Sequence, residues 1–178
     1  MKATYGFGVK KSVQTFAATA LFCLFSVGHS AYAEDKLTSL PVVPQLTLEL
    51  AQQAAMSALQ QCGREGYAVS VAVVDRNGLL ISQVRNPAAG PHTIGSSIGK
   101  AFTSASMGRA TAPLAKAIAE NPALNGLRDM DSRMVILAGG LPIVIDGQRV
   151  GGIGVGGAPG GHLDEACAIF GLQQIGAQ

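Results

Sequence analysis

Hydrophobic residues repeat with two different periods along this chain, and the changes of period mark out its elements. Leu48, Ala51, Ala55, Ala58/Leu59 and Cys62 recur at helical spacing behind a Thr47 N-cap, and Gly63 and Gly66 close this first helix. Ala68–Asp75 then carries apolar residues on both parities, the pattern of a strand covered on both faces. Asn77-Gly78 is a tight-turn pair, so Leu79–Arg85 returns as the second strand of a hairpin. After the Pro/Gly-rich loop Asn86–Pro91, helical spacing resumes at Ile94, Ile98, Ala101/Phe102 and Ala105, predicting a helix over Thr93–Met107. Thr111, with Pro113 in the first turn, starts another helix through Ala119. Asn121–Asp131 reads as a long polar connection, and Met134–Ala138 as a third strand.

Glycine dominates the C-terminal third: ten of the 23 glycines lie from Gly139 to Gly161. Two apolar runs, Leu141–Ile145 and Val150–Val155, flank Asp146-Gly147, a second hairpin signal. In the later run Val150, Gly152, Gly154 and Gly156 alternate with Gly151, Ile153, Val155 and Gly157, leaving one face almost bare. A bare strand face marks a close approach, by a helix, a second subunit or a flat ligand. Gly160-Gly161 leads into a final helix, Leu163–Ile175, whose first turn holds Asp164 and Glu165, where the helix dipole favours acids. Hairpins dominate the order, so the fold class is α/β: an α/β/α sandwich with an antiparallel sheet of about five strands. The first and last helices share one face.

The first 33 residues have the form of an export signal, with Lys2, Lys10 and Lys11 at the head, an apolar Val13–Val27 and the small-x-small site Ala31-Tyr32-Ala33. Residues 34–45, with Pro41 and Pro44, read as a loose arm, and residues 46–178 as one domain. Removal of the leader takes the formal charge from +2 to −1 and leaves no cluster of Lys and Arg, which excludes a phosphate-backbone binder. Three aromatics remain, Tyr67, Phe102 and Phe170, so the core is built from Ala, Val, Ile and Leu with closely packed elements. Cys62 and Cys167 remain too; they form either a disulfide, which an extracytoplasmic space permits, or two small buried hydrophobes.

Gly152–Gly157 matches G-x-G-x-x-G, but no βαβ unit surrounds it and the acidic residue that the dinucleotide fingerprint needs further on is absent. No phosphate loop and no hydrolase signature occurs. The candidate chemistry is therefore sparse. His92 and His162 each stand just before a helix, where backbone N–H groups can hold a carboxylate. Each histidine is otherwise a plain loop residue, and Met134 is either core or edge packing or a soft ligand for haem iron. Lys100 and Arg109 on the middle helices are solvated by default or paired with an anionic ligand, and Thr103, one turn on from Lys100, donates to that ligand or back to its own helix.

Val69–Gly78, Gly99–Ala105 and the run from Leu137 through Val150–Gly157 to Asp164-Glu165 together resemble the GlcG/HbpS family of haem-binding proteins, which includes the C-terminal domain of PduO-type proteins. The resemblance covers the chain from about Leu46 to the end. It implies a profilin-like fold with a five-stranded antiparallel sheet between helices, and a homo-oligomer, often an octamer. It also implies an exported, periplasmic or secreted haem or iron binder in redox sensing, acting with a membrane sensor. Haem degradation is a further implication, and an interaction module without physiological haem is the non-catalytic alternative. Secreted iron-binding relatives carry Glu-x-x-Glu at the start of the middle helix; Gly95 and Ile98 occupy those positions here. The sites expected for haem are His92, Lys100, Thr103 and Met134, with His92 and Met134 on the metal, in a shallow or interfacial site because aromatics are few.

Overall fold

The computed structural model describes residues 40–178, so the leader read over residues 1–33 lies outside the described residues. Among the described residues five helices and four strands run in the order α1 (Leu48–Arg64), β1 (Ser70–Asp75), β2 (Leu80–Arg85), α2 (His92–Met107), α3 (Thr111–Glu120), a 3₁₀ helix (Pro122–Arg128), β3 (Gly140–Ile145), β4 (Gln148–Gly156) and α4 (Gly161–Gln173). The strands form one antiparallel sheet in the order β2-β1-β4-β3. Helices α1 and α4 lie together on one face and α2 covers the other, the three-layer arrangement that the pattern predicts. Among the described residues no helix is long and apolar enough to cross a membrane.

Both hairpins turn where positive φ is required. Gly78 has φ 80°, and Asp146 and Gly147 have φ 50° and 73°. Strand β1 is buried along nearly its whole length because both faces are covered: Val71 and Val73 join the α1–α4 side, Ala72 and Val74 the α2 side.

The bare face of β4 is where α2 seats. A Cβ on Gly152 would stand 2.5 Å from the Ala101 carbonyl oxygen, and one on Gly154 would run into the carbonyl oxygen of Ser97. The glycines thus serve a helix, pressed so close that backbone meets backbone. Val150 departs from the predicted alternation. Ile143 pairs with Gly151 and Val144 with Arg149, so the ladder skips Val150, and this bulge turns it to the side of Leu46, Ile153 and Val155.

The sheet has four strands, one fewer than expected, because Met134–Ala138 forms no ladder. Its apolar residues are spent elsewhere. Ile136 is buried with Leu114 and Ile118 of α3, Met134 packs against the same group, and Val135 lies over Gly99 of α2. The Val135 N–H donates to Thr103 Oγ1 (2.9 Å), and the Thr103 hydroxyl donates to the Gly99 carbonyl (2.7 Å). Thr103→Val keeps the shape but orphans the Val135 N–H, so a loss of about 1–2 kcal/mol in urea-melt stability is expected.

A disulfide joins Cys62, in the last turn of α1, to Cys167 of α4, with Cα atoms 5.6 Å apart and a sequence separation of 105. The helices it joins are nearly in backbone contact: a Cβ on Gly171 would stand 2.5 Å from the Ala54 carbonyl, and Ala51, Ala54, Ala55 and Ala58 are fully buried beneath. Closing so long a loop removes much of the unfolded chain's freedom. Cys62→Ala/Cys167→Ala is expected to cost about 2–4 kcal/mol, read as a lower urea midpoint.

Candidate functional site

The N-termini of α2 and α4 open onto one pocket of about 380 Å³ at the end of the sheet. His92, Thr93, Ser96 and Lys100 come from α2, Leu137 and Ala138 from the segment before β3, Gly157 to Gly160 from the loop into α4, and Gly161 and Asp164 from the first turn of α4. Glycine shapes its far wall. Gly157, at φ 134°, lies against the Ala68 carbonyl and Val69, and a Cβ on Gly161 would meet Ala138 at 2.8 Å.

Neither helix has a side-chain cap, since Pro91 and Gly160 occupy the two N-cap positions without a capping hydrogen bond. The Thr93 and Ile94 N–H groups donate to the Gly90 and Pro91 carbonyls, and those of Leu163 and Asp164 to the Gly160 carbonyl, so what the two helix starts bring to the pocket is the positive ends of two dipoles. Each helix also begins with a histidine folded over a glycine two residues earlier. The His92 ring lies so near Gly90 that a Cβ there would meet its Cε1 at 2.6 Å, and His162 does the same over Gly160 at 2.7 Å.

A buried ion pair forms the floor. Lys100 Nζ donates to Asp164 Oδ2 at 2.8 Å and to the Val155 carbonyl at 2.8 Å, and Asp164 Oδ1 accepts from the Ala158 N–H at 3.0 Å. Both side chains are 4% exposed, so water screens the pair little and each charge depends on its partner. The pair ties α2, the end of β4 and the first turn of α4 together under the pocket. One tier below, Ser70 of β1 and Thr93 share a buried hydrogen bond of 2.7 Å, and Thr93 also donates to the Gly90 carbonyl at 2.6 Å.

The four sequence candidates separate in space. His92 and Lys100 both line the pocket, His92 exposed at the rim and Lys100 buried at the floor. Thr103 is committed to Gly99 and Val135, and Met134 packs with the α3 and 3₁₀ cluster; neither lines the pocket. Asp164 was legible only as a first-turn acid, yet its contact with Lys100 is what builds the floor. Its partner is 64 residues away in sequence, beyond any local spacing rule. Gly95 stands exposed with nothing within 4 Å of a Cβ, and Ile98 packs against Ala72, Val74, Ala101 and Ala105. Outside the pocket, Arg133 stacks on the Phe102 ring at 4.0 Å, and its hydrogen bonds hold the Asp131 carboxyl down to about 2. Among the described residues no three His, Cys, Asp or Glu side chains converge on a point that could hold a bare metal ion.

This arrangement can take a flat ligand at its rim. An imidazole stands beside the apolar surface of Leu137, Ala138, Ala158 and Pro159, near the positive ends of two helix dipoles. Residues 46–173 match the family described as haem degrading protein HbpS-like. A double mutant of HbpS from Streptomyces reticuli is 43% identical, with TM-score 0.70 over 75% of this chain and 89% of that one. The protein ORFY of Klebsiella pneumoniae is 28% identical, with TM-score 0.73 over 80% of this chain and 99% of that one. PduOC, solved as a haem complex, is 25% identical, with TM-score 0.71 over 76% of this chain and 98% of that one.

Proposed function

The chain belongs to the HbpS-like family, and on that premise we propose that it is an exported haem-binding protein that assembles with copies of itself. The observation that carries the haem reading is the pocket where exposed His92 meets an apolar wall above the Lys100–Asp164 floor. The residues fit the group. Imidazole is a good ligand for haem iron, the apolar wall suits a porphyrin edge, and the positive ends of two helix dipoles suit its carboxylates. His92 would hold the iron, and Lys100 would fix the α2 turn beneath it; Met134 sits outside this pocket. Bound haem supplies a redox-active iron, which is the chemistry that a role in redox sensing beside a membrane sensor requires.

Export is supported by the leader pattern and by the disulfide, since such bonds persist in oxidising compartments and are kept reduced in the cytosol. The test is a hemin titration of the purified protein at micromolar concentration. A Soret shift that His92→Ala abolishes is the expected result, and absence of any shift overturns the reading. The family description also favours a second reading, haem breakdown. Adding ascorbate to the complex separates the two: a stable Soret band means binding, and its decay with release of a linear tetrapyrrole means degradation.

A further inference from the structure

The disulfide stands where both walls of the pocket are anchored. On α4, Cys167 lies three residues from Asp164, on the same helix face, and both are buried, at 2% and 3% exposure. On α1, the Cys62 carbonyl accepts from the Tyr67 N–H at 2.8 Å and so folds the chain back toward Ala68 and Val69. These two residues lie directly beneath Gly157 of the far wall. One covalent bond thus holds the helix that supplies Asp164 to the loop that supports Gly157.

The bond also borders an opening in the surface. A second opening of about 260 Å³, lined by Gln61, Glu65, Tyr67, Leu163, Ala166 and Cys167, lies between the end of α1 and the first half of α4 and has Cys167 in its wall. Cys167, 2% exposed, borders this opening, whereas Cys62 is fully buried and does not line it.

The geometry points to Cys62–Cys167 as a thiol–disulfide exchange site whose state sets the hold of the pocket on its ligand, an inference that rests on the haem reading. A thiolate of a small dithiol attacks Cys167 Sγ, forming a mixed disulfide and expelling the Cys62 thiolate, which takes up a proton. The second thiol of the reductant then attacks its own sulfur in the mixed disulfide and releases the Cys167 thiolate, which is protonated in turn. Two electrons pass from the dithiol, which leaves as a cyclic disulfide, and the protein gains two thiols. Opening the bridge removes the covalent tie between α1 and α4 and leaves the Lys100–Asp164 pair and the α1–α4 packing to hold the start of α4, so the α4 wall loosens while the sheet persists.

The experiment compares the full chain, oxidised and after treatment with dithiothreitol that is removed before measurement, with Cys62→Ala/Cys167→Ala as the permanently open form. Dithiothreitol should open the bridge in native buffer, counted as two free thiols. Amides of residues 158–166 should then exchange about tenfold faster within the first minutes, while β1 and β4 stay protected over the same interval, and hemin should bind about tenfold more weakly. Reoxidation should reverse both changes. Resistance of the bridge to reduction until the chain is denatured overturns the inference, as do equal exchange rates or equal hemin affinity in the two states. A chain that binds no hemin even when oxidised refutes the haem reading instead, and the exchange rates still decide this one.

Discussion

Gly154→Val is expected to abolish stable folding, with a loss of about 4 kcal/mol or more against a typical total of about 5–15 kcal/mol. The cause is position, not chemistry. Any Cβ on Gly154 falls onto the Ser97 carbonyl oxygen and within 2.5 Å of the Ala101 N–H, both backbone atoms of α2. Backbone cannot rotate aside as a flexible side chain can, so α2 must lift off the sheet, taking the pocket's near wall with it. Gly63→Ala is the control. A Cβ there meets nothing within 4 Å, and the position lies inside α1, so this change should stabilise by about 0.5–1 kcal/mol. Urea melts of the two variants, monitored by circular dichroism, test the pair; a folded Gly154→Val of near-native stability would contradict the close approach.

Lys100→Met is expected to cost about 3–5 kcal/mol, because it strands the Asp164 carboxylate in a site 4% exposed with only the Ala158 N–H for company. The sign of the second substitution separates a lost attraction from a stranded charge. Asp164→Asn in the Lys100→Met background keeps an acceptor for Ala158 and removes the charge, so the double variant should regain at least half of the loss. Additive costs in the double-mutant cycle would show that the two groups do not depend on each other. The same variants should weaken hemin binding, since the floor of the pocket goes with the pair.

Local rules found most of the fold. Asn77-Gly78 and Asp146-Gly147 supplied the turns, helical spacing placed α1, α2, α3 and α4, and the bare face of β4 was open to a helix, which α2 proves to be. The misses are non-local. Met134–Ile136 has the composition of a strand, but its burial comes from α2 and α3, and composition does not say which neighbour does the burying. The bulge at Val150 depends on the partner strand's register, which alternation along one strand cannot show. The site divides the same way. His92 was legible from its place just before a helix after a Pro/Gly loop, Lys100 as a cation on a middle helix, and the Cys62–Cys167 bridge as one of two alternatives, whereas the Asp164 contact joins residues that only the closed fold brings together. Thr103 shows the converse: one turn from Lys100 in sequence, it points at Val135 and away from the pocket.

The bridge has one more consequence, for protease sensitivity. Every peptide bond from Cys62 to Cys167 lies inside a covalent ring, including the largely exposed run 119–133 that holds the 3₁₀ helix. A single cut in that run opens the ring and frees no fragment. Nicked and intact chains should therefore run together on a non-reducing gel, and reduction should release two shorter fragments from the nicked chains alone.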